Sequence, residues 1–192
     1  MKIGVLALQG DFIEHQKIME GLGAEVSQVR LPSDLEPLQG LVIPGGESTT
    51  IGKLAVDFEL MEPLRQFARE HAVWGTCAGS IFLSKDASRE QPLMGMMDIK
   101  VERNAFGRQV DSFEIDLDIP CLKKVSAEDT PFHAIFIRAP LIESVGKGVE
   151  VLAGLPDGRI IAAQEGLWLA TSFHPELTSD TRFHRYFMEM IP

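Results

Sequence analysis

The predicted fold class is α/β, with a mixed, mostly parallel central sheet that carries helices on both faces. In the first half of the chain, short apolar segments alternate with segments of helical character, as at 3–8, 11–22 and 25–29. The segments at 3–8 and 40–43 are continuously apolar, which is typical of parallel strands covered on both sides. The second half instead contains short alternating segments with turn signals, which indicates antiparallel strands within the same fold.

The individual elements follow from apolar runs and from stop signals. Gly23 ends the first helix, for which Asp11 is the predicted N-cap, and Pro44-Gly45-Gly46 ends a strand at 40–43. A helix with Leu60, Leu64 and Phe67 on one face leads into an apolar run at 72–74. The later elements are strands at 110–117, 134–137, 149–152, 159–164 and 167–172, a hairpin turn at 156–158, and a closing helix at about 179–190.

Composition predicts a single domain over residues 1–192 and excludes several classes of partner. The chain is 45% hydrophobic and 24% charged, as in ordinary globular proteins, and its net charge of −10 argues against nucleic acid and anionic membrane as partners. Two cysteines are too few for a disulfide framework, which suits a reducing compartment. The apolar start is too short for a signal peptide, and no run approaches membrane-spanning length. We therefore expect a cytoplasmic location.

Cys77 lies at the apex of the segment Gly75-Thr76-Cys77-Ala78-Gly79. This segment joins an apolar strand to a helix start and matches the nucleophile-elbow pattern G-x-S-x-G, with sulfur in place of oxygen. A thiol at a helix N-terminus favours the thiolate. The alternative is that Cys77 is a buried small hydrophobic residue, as many free cysteines are.

His174 and Glu176 follow a second apolar strand, in the segment Ser172-Phe173-His174-Pro175-Glu176. The carboxyl ends of parallel strands meet at one edge of the sheet, so the His174 ring is expected near Cys77, with Glu176 fixing its tautomer. The alternative is a structural histidine before a proline turn. A zinc-deaminase site is excluded because no downstream pair of cysteines completes it.

The Gly45-Gly46-Glu47-Ser48 loop follows a third strand. Its glycines allow close backbone approach, and a loop N–H from Gly45 or Gly46 together with that of Ala78 would form an oxyanion hole. The alternative is a plain turn in which Ser48 or Thr49 caps the next helix. A phosphate loop is excluded, because five residues rather than four separate Gly46 from Gly52.

Two arginines and the remaining histidines are weaker candidates. Arg103 could clamp a carboxylate, although a solvated loop is the simpler interpretation. Arg138 closes an apolar strand, where a charge usually has a partner. Cys121 is predicted to be structural, and the remaining four histidines are predicted to be surface or packing residues: His15, His71, His133 and His184.

Taken together, these motifs resemble the triad-type (class I) glutamine amidotransferases. Within that class the chain resembles the glutaminase subunits of pyridoxal 5′-phosphate synthase, the PdxT family, from residue 3 to about residue 190. The elbow and the His-Pro-Glu motif indicate only the superfamily, whereas the Gly-Gly-Glu-Ser-Thr-Thr loop and the arginine-containing segment are more specific. The matching segments are 8–10, 44–50, 75–79, 102–114, 136–140 and 172–178.

This resemblance implies a flavodoxin-like amidotransferase fold and hydrolysis of L-glutamine to glutamate and ammonia. Cys77 would be the nucleophile, His174 the acid–base and Glu176 its orienting group. The ammonia would pass to a (β/α)8-barrel synthase subunit in a large hetero-oligomer, and docking of that subunit is expected to complete the oxyanion hole. No metal or cofactor is expected, since pyridoxal phosphate is a distant product. The glutamine-binding positions would be Gly46, Glu47, Ser48, Arg103, Ile137 and Arg138.

Two rival functions use the same residues. A stand-alone cysteine hydrolase, such as a γ-glutamyl peptidase, would act at full rate without a partner. A non-catalytic docking subunit would keep the three side chains but show no turnover. An activity assay with and without the synthase separates all three hypotheses.

Overall fold

The computed structural model describes residues 1–88, 90–103 and 112–192. Within these residues the helices are α1 (Phe12–Gly21), α2 (Ser48–Asp57), α3 (Met61–Glu70), α4 (Ala78–Leu83) and α5 (Arg182–Met190), and 3-10 helices lie at Pro32–Leu35, Pro120–Lys124 and Pro175–Leu177. The strands are β1 (Lys2–Leu6), β2 (Glu25–Val29), β3 (Gly40–Ile43), β4 (Ala72–Thr76), β5 (Ser84–Asp86), β6 (Met97–Glu102), β7 (Ser112–Leu117), β8 (Phe132–Ile137), β9 (Leu141–Val145), β10 (Glu150–Gly154), β11 (Ile160–Glu165) and β12 (Trp168–Thr171).

The main sheet of the described residues has the order β2-β1-β3-β4-β12-β11-β9-β6-β5, and β10 pairs with β11. The strands from β2 to β12 in this order are parallel, whereas β11, β9 and β10 make antiparallel pairs. A separate antiparallel ribbon consists of β7 and β8. The predicted mixed, mostly parallel sheet is therefore confirmed.

Helices cover both faces of the sheet, because side chains along each strand alternate between two cores. On one face, Trp74 packs with Met19 of α1 and Phe187 of α5. On the other, Val73 packs in a core shared with Ile51 of α2, Leu64 of α3 and Phe82 of α4. The predicted apolar face of the helix before β4 is confirmed, since Leu60, Leu64 and Phe67 are all buried.

Most predicted elements occur with boundaries moved by a few residues. The strands predicted at 25–29 and 40–43 have those bounds, and Pro156-Asp157-Gly158 does turn the chain between β10 and β11. The closing helix begins at Arg182 rather than near residue 179. Asp11 occupies the N-cap position of α1 as predicted, although its side chain makes no capping hydrogen bond. The strand predicted at 110–117 begins outside the described residues and is observed from Ser112.

The carboxyl ends of four adjacent parallel strands lie at one edge of the sheet: β1, β3, β4 and β12. Each end is followed by one of the unusual motifs, namely Gln9-Gly10-Asp11, the glycine loop, Cys77 and His174. In parallel sheets, this edge is where ligands bind. Among the described helices, none is both long and apolar enough to cross a bilayer.

Candidate active site

A cavity of about 430 Å³ opens at this edge of the sheet. It gathers nearly all of the predicted site residues, and the two exceptions, Gly45 and Glu176, lie directly behind the His174 ring. The cavity-lining residues are Gln9, Gly10, Asp11, Gly46, Glu47, Ser48, Cys77, Ala78, Ile81, Arg103, Ile137, Arg138, Pro140 and His174.

Cys77 lies on a strained turn between β4 and α4. Its φ of 46° is unusual for a residue with a side chain, and such strain costs on the order of 1–3 kcal/mol and is common at functional sites. The backbone N–H of Cys77 donates to the Thr171 carbonyl at 2.8 Å, which fastens the turn to β12. A Cβ at Gly79 would lie 2.0 Å from the Ile43 carbonyl oxygen, so the elbow requires glycine there. The predicted strand–turn–helix elbow is confirmed.

His174 is held between Cys77 and Glu176. Its Nδ1 lies 2.7 Å from Oε1 of Glu176, and its side chain interacts with Cys77 by hydrogen bonding and charge. The backbone N–H of His174 donates to the Ile135 carbonyl at 2.8 Å, which joins this turn to β8. Both His174 and Glu176 are buried, so water does not compete for these contacts.

The pKa values describe a charged pair behind Cys77. Burial alone would lower the pKa of His174, but its contacts with Cys77 and Glu176 outweigh burial and raise the pKa to about 10. Burial raises the pKa of Glu176, and the hydrogen bond with His174 opposes that effect. Since a protonated Glu176 could not stabilise an imidazolium, the 2.7 Å contact favours ionised Glu176 beside protonated His174.

The glycine loop touches the histidine ring directly. A Cβ at Gly45 would lie 2.7 Å from Cε1 of His174, so any side chain there would displace the imidazole. The Gly45 carbonyl accepts a hydrogen bond from the backbone N–H of Asp11 at 3.2 Å, and the N–H of Glu47 donates to Oε1 of Gln9 at 2.6 Å. The turn after β1 therefore braces the loop after β3.

Glu47 caps α2, whereas the alternative interpretation of the loop had Ser48 or Thr49 as the cap. Its carboxylate accepts from the Thr50 backbone N–H at 2.9 Å and pairs with Nη2 of Arg103 at 2.5 Å. Burial would raise the pKa of Glu47, but the hydrogen bonds from Thr49, Thr50 and Arg103 lower it to about 2. The interpretation of Arg103 as a solvated loop residue is thus incomplete, because Arg103 lines the cavity.

Ser48, Ile137 and Arg138 complete the predicted binding set. Ser48 is buried, and its Oγ lies 3.3 Å from the side-chain amide of Gln91. Arg138 has a φ of 45° and is exposed at the cavity rim beside Ile137. The expected ion-pair partner of Arg138 is not found among the residues that the structure describes. The rest of the arginine-containing segment, 104–111, lies outside them.

Five lining residues were not assigned to the site by the sequence: Gln9, Gly10, Asp11, Ile81 and Pro140. Asp11 approaches the catalytic candidates directly, with its Oδ2 3.9 Å from Nδ1 of His174. Its position after the first parallel strand was the available signal. Ligand atoms of Asp11, His174 and Glu176 lie within 4.8 Å of one another. Of these residues, His174 and Glu176 are already joined by the 2.7 Å hydrogen bond between Nδ1 and Oε1.

The other histidines divide into two groups. His133 is a surface residue between Asp116 and Glu114, and His71 stacks on Phe67, both as predicted. His184 is fully buried, which also fits a packing residue. His15 is fully buried too, but its Nε2 lies 3.3 Å from Oε2 of Glu176, a contact that the sequence did not predict.

The fold is that of the glutamine amidotransferases. A solved structure described as a glutamine amidotransferase is 49% identical, with a TM-score of 0.91 and 98% of each chain covered. The PurLQS structure from Thermotoga maritima has a TM-score of 0.67 at 15% identity, covers 99% of this chain and 96% of that one, and supports the fold alone.

The sequence comparisons narrow this class to a family. The SNO glutamine amidotransferase family matches residues 5–192. "Pyridoxal 5′-phosphate synthase subunit PdxT" of Herpetosiphon aurantiacus is 57% identical over 98% of this chain and 99% of that protein. The PdxT protein of Pelotomaculum thermopropionicum is 58% identical over 98% and 94%. The chain belongs to the SNO glutamine amidotransferase family and to the PdxT proteins, as the motifs predicted.

Proposed function

We propose that this chain hydrolyses L-glutamine to L-glutamate and ammonia through Cys77, His174 and Glu176, and passes the ammonia to a pyridoxal 5′-phosphate synthase subunit. The observation that carries the chemistry is that a strained cysteine and a buried histidine line the cavity, with a buried carboxylate hydrogen-bonded to the histidine from behind. The pathway rests on the relatives named as pyridoxal 5′-phosphate synthase subunits.

Acylation begins with attack of Cys77 Sγ on the side-chain amide carbon of glutamine. The Nδ1 of His174 is engaged by Glu176, so Nε2 is the nitrogen that serves Cys77 and the leaving group. His174 protonates the amide nitrogen as the C–N bond breaks, which releases ammonia and leaves a γ-glutamyl thioester.

Deacylation uses the same histidine in the opposite direction. His174 Nε2 accepts a proton from water, the water oxygen bonds to the thioester carbon, and the C–S bond breaks to release glutamate. Throughout, Glu176 holds the ring orientation and offsets its positive charge.

The negative oxygen that develops in both steps needs N–H donors. We assign these to the backbone of Ala78, which follows the nucleophile, and to the Gly45-Gly46 loop. The loop is within reach because Gly45 contacts the His174 ring. Its carbonyl currently accepts from Asp11, so a rearrangement of this loop on partner docking would change which groups face the cavity.

Glutamine recognition is assigned to the charged rim of the cavity. Arg103 and Arg138 supply positive charge for the α-carboxylate, and Glu47 supplies negative charge for the α-ammonium. Gly46, Ser48 and Ile137 shape the remaining wall. In the free chain Glu47 and Arg103 neutralise each other, and bound glutamine offers an opposite charge to each.

The partner that we propose is a (β/α)8-barrel synthase subunit in a large hetero-oligomer, in the cytoplasm. Ammonia formed at Cys77 must leave near the glycine loop, so the docking surface should include α1 and the rim at 45–49. A neutral product such as ammonia can travel through an apolar route without an ionic carrier.

The test is ammonia release from glutamine by the purified chain, alone and with the synthase subunit. Strong stimulation by the synthase supports the proposal. A full rate alone, unchanged by synthase, would indicate a stand-alone hydrolase, and no turnover in either condition would indicate a docking subunit.

Substitution of the nucleophile sharpens this test. We expect Cys77→Ala to abolish hydrolysis in the presence of the synthase, while unfolding remains cooperative. Cys121→Ala is the matched control, because burial raises the pKa of the Cys121 thiol to about 11 and leaves it unreactive. Appreciable hydrolysis by Cys77→Ala would refute the nucleophile assignment.

A further inference from the structure

A chain of buried polar groups continues behind Glu176, away from the cavity. Nε2 of His15 lies 3.3 Å from Oε2 of Glu176 and 3.2 Å from Oγ1 of Thr76. Nδ1 of His15 lies 3.0 Å from Nε2 of His184. Both histidines are fully buried, so these contacts are made without water at the surface of either ring.

The contacts determine which ring nitrogen carries the proton in His15 and in His184. If the His15 proton were on Nδ1, the Nε2 lone pair would face the Glu176 carboxylate, and His184 would carry a buried Nδ1–H. Among the described residues no group accepts from that atom. An unpartnered buried donor is costly. With the opposite arrangement, His184 Nε2–H donates to His15 Nδ1, and His15 Nε2–H points towards Thr76 and Glu176.

His15 remains neutral in this arrangement. Burial lowers the pKa of His15 well below its usual value, and the positive charge that His184 or His174 carries when protonated lowers it further. Burial likewise lowers the pKa of His184 to about 3. His15 can therefore offer an N–H dipole to Glu176 without adding a charge that would compete with His174 for the carboxylate.

We propose that His15 is a positioning residue of the triad: its Nε2–H, hydrogen-bonded to Oγ1 of Thr76 and 3.3 Å from the distal oxygen of Glu176, keeps that carboxylate ionised and oriented on His174. His184 sets the tautomer of His15. This inference rests on the proposed function, since it concerns the same three side chains.

The need for such a group is visible at Glu176. Its Oε1 is hydrogen-bonded to Nδ1 of His174. Its Oε2 lies 3.3 Å from Nε2 of His15, but among the described residues it has no partner that meets the geometry of a hydrogen bond. The charged and titratable groups that face the carboxylate are His174 from the β12 end, His15 from α1, and Asp11 at the start of α1. Asp11 disfavours the ionised carboxylate, whereas the hydrogen bond and charge of His174 and a backbone hydrogen bond at Glu176 favour it. His15 is the further group that lies within reach of Oε2.

The first experiment reads the tautomers in the unmodified chain. Two-bond ¹H–¹⁵N correlation spectra of histidine-labelled protein should give the neutral Nε2–H tautomer for both His15 and His184 between pH 6 and 9. An Nδ1–H tautomer or an imidazolium at His15 would overturn the proposal, and this reading does not depend on any variant folding.

The second experiment uses a matched pair of variants in a Cys121→Ala background. His15→Leu removes the donor at similar volume, whereas His15→Gln keeps an N–H near the position of Nε2. The readout is the rate of Cys77 alkylation by iodoacetamide as a function of pH. We expect the midpoint of the alkylation rate against pH to lie about one pH unit higher in His15→Leu than in the parent protein. In His15→Gln the midpoint should return to that of the parent protein.

A purely structural role for His15 would give a different result. Such a role would change the melting temperature but leave the pH profile of Cys77 alkylation the same as in the parent protein, or it would shift the profile equally in His15→Leu and His15→Gln. Either result overturns the proposal. Neither experiment uses glutamine or synthase. A failure of ammonia release would therefore count against the proposed function and leave these two readouts standing.

Discussion

At the scale of single residues, the site depends on contacts that leave no room for substitution. The His174 ring is held by Glu176 on one side and by the Gly45 backbone on the other. Misplacement of a catalytic group by about 1 Å can cost about 100-fold in rate. Small steric changes around the ring are therefore expected to affect activity more than stability.

We predict that Gly45→Ala lowers glutamine hydrolysis about 100-fold, because the added Cβ would lie 2.7 Å from Cε1 of His174 and push the ring away from Cys77. The measurement is kcat with synthase present. Gly148→Ala is the matched control, since a Cβ there meets only Oε1 of Glu165, at an ordinary contact distance of 3.7 Å, and it should retain full activity. Equal activities in the two variants would contradict this description of the loop.

The site residues that could be predicted from the sequence are those that follow the ends of apolar strands. Cys77, His174 and the glycine loop follow apolar strands, and chemistry concentrates at that edge of a parallel sheet. His15 could not be found in this way, because it lies in the middle of a helix and reaches Glu176 only after α1 packs on the sheet. The network of Glu47 with Arg103 was equally hidden, since it joins residues far apart in the chain.

At the scale of elements, the start of α2 joins helix capping to the cavity. Glu47 accepts the Thr50 N–H as the N-cap and also pairs with Arg103 after β6. Its low pKa, about 2, reflects these bonds. One carboxylate thus connects an element boundary with the proposed binding rim.

We predict that Glu47→Ala lowers the free energy of unfolding by about 1 kcal/mol at neutral pH, through loss of the cap. Because the folded-state pKa of Glu47 is depressed, its contribution is complete above pH 4.5 and is lost as pH falls towards 2. Denaturant unfolding of both proteins at several pH values measures the difference. Exposed Glu36→Ala serves as control, and a pH-independent difference for Glu47→Ala would exclude the carboxylate as its source.

The elements themselves were predictable where the pattern was strong. The mainly apolar strands β1, β3 and β4 were found from sequence, with boundaries off by up to two residues, and the helix before β4 was found from its apolar face. Strands β6 and β9 were not predicted, because β6 carries charged residues on one face and β9 becomes exposed along its length. Their strand character comes from pairing with each other in the sheet, which is not a local property.

At the scale of the whole molecule, two neutral histidines are buried in the core beneath the site. The pKa of His184 is lowered to about 3 and that of His15 is well below its usual value, in both cases mainly through burial. The unfolded chain takes up these protons below about pH 6.5, whereas the folded chain does not. Stability is therefore lost as pH falls from 6.5.

We predict that His184→Gln reduces the slope of the free energy of unfolding against pH by up to about 1.4 kcal/mol per pH unit. The reason is that the unfolded variant no longer takes up a proton at position 184 that the folded protein does not bind. The measurement is the free energy of unfolding between pH 4 and 6.5. His133→Gln is the contrasting control. The pKa of His133 is raised by Asp116 and Glu114, so both states hold its proton below pH 6.5 and the slope there should not change. Identical slopes in wild type and His184→Gln would contradict the burial of a neutral ring.

The most direct test of the central claim is mass spectrometry of the chain after acid quenching during turnover of glutamine with the synthase present. The account predicts a γ-glutamyl adduct on the peptide that contains Cys77, absent from Cys77→Ala and from the peptide that contains Cys121. Continued ammonia release with no adduct, or with the adduct on another residue, would contradict it.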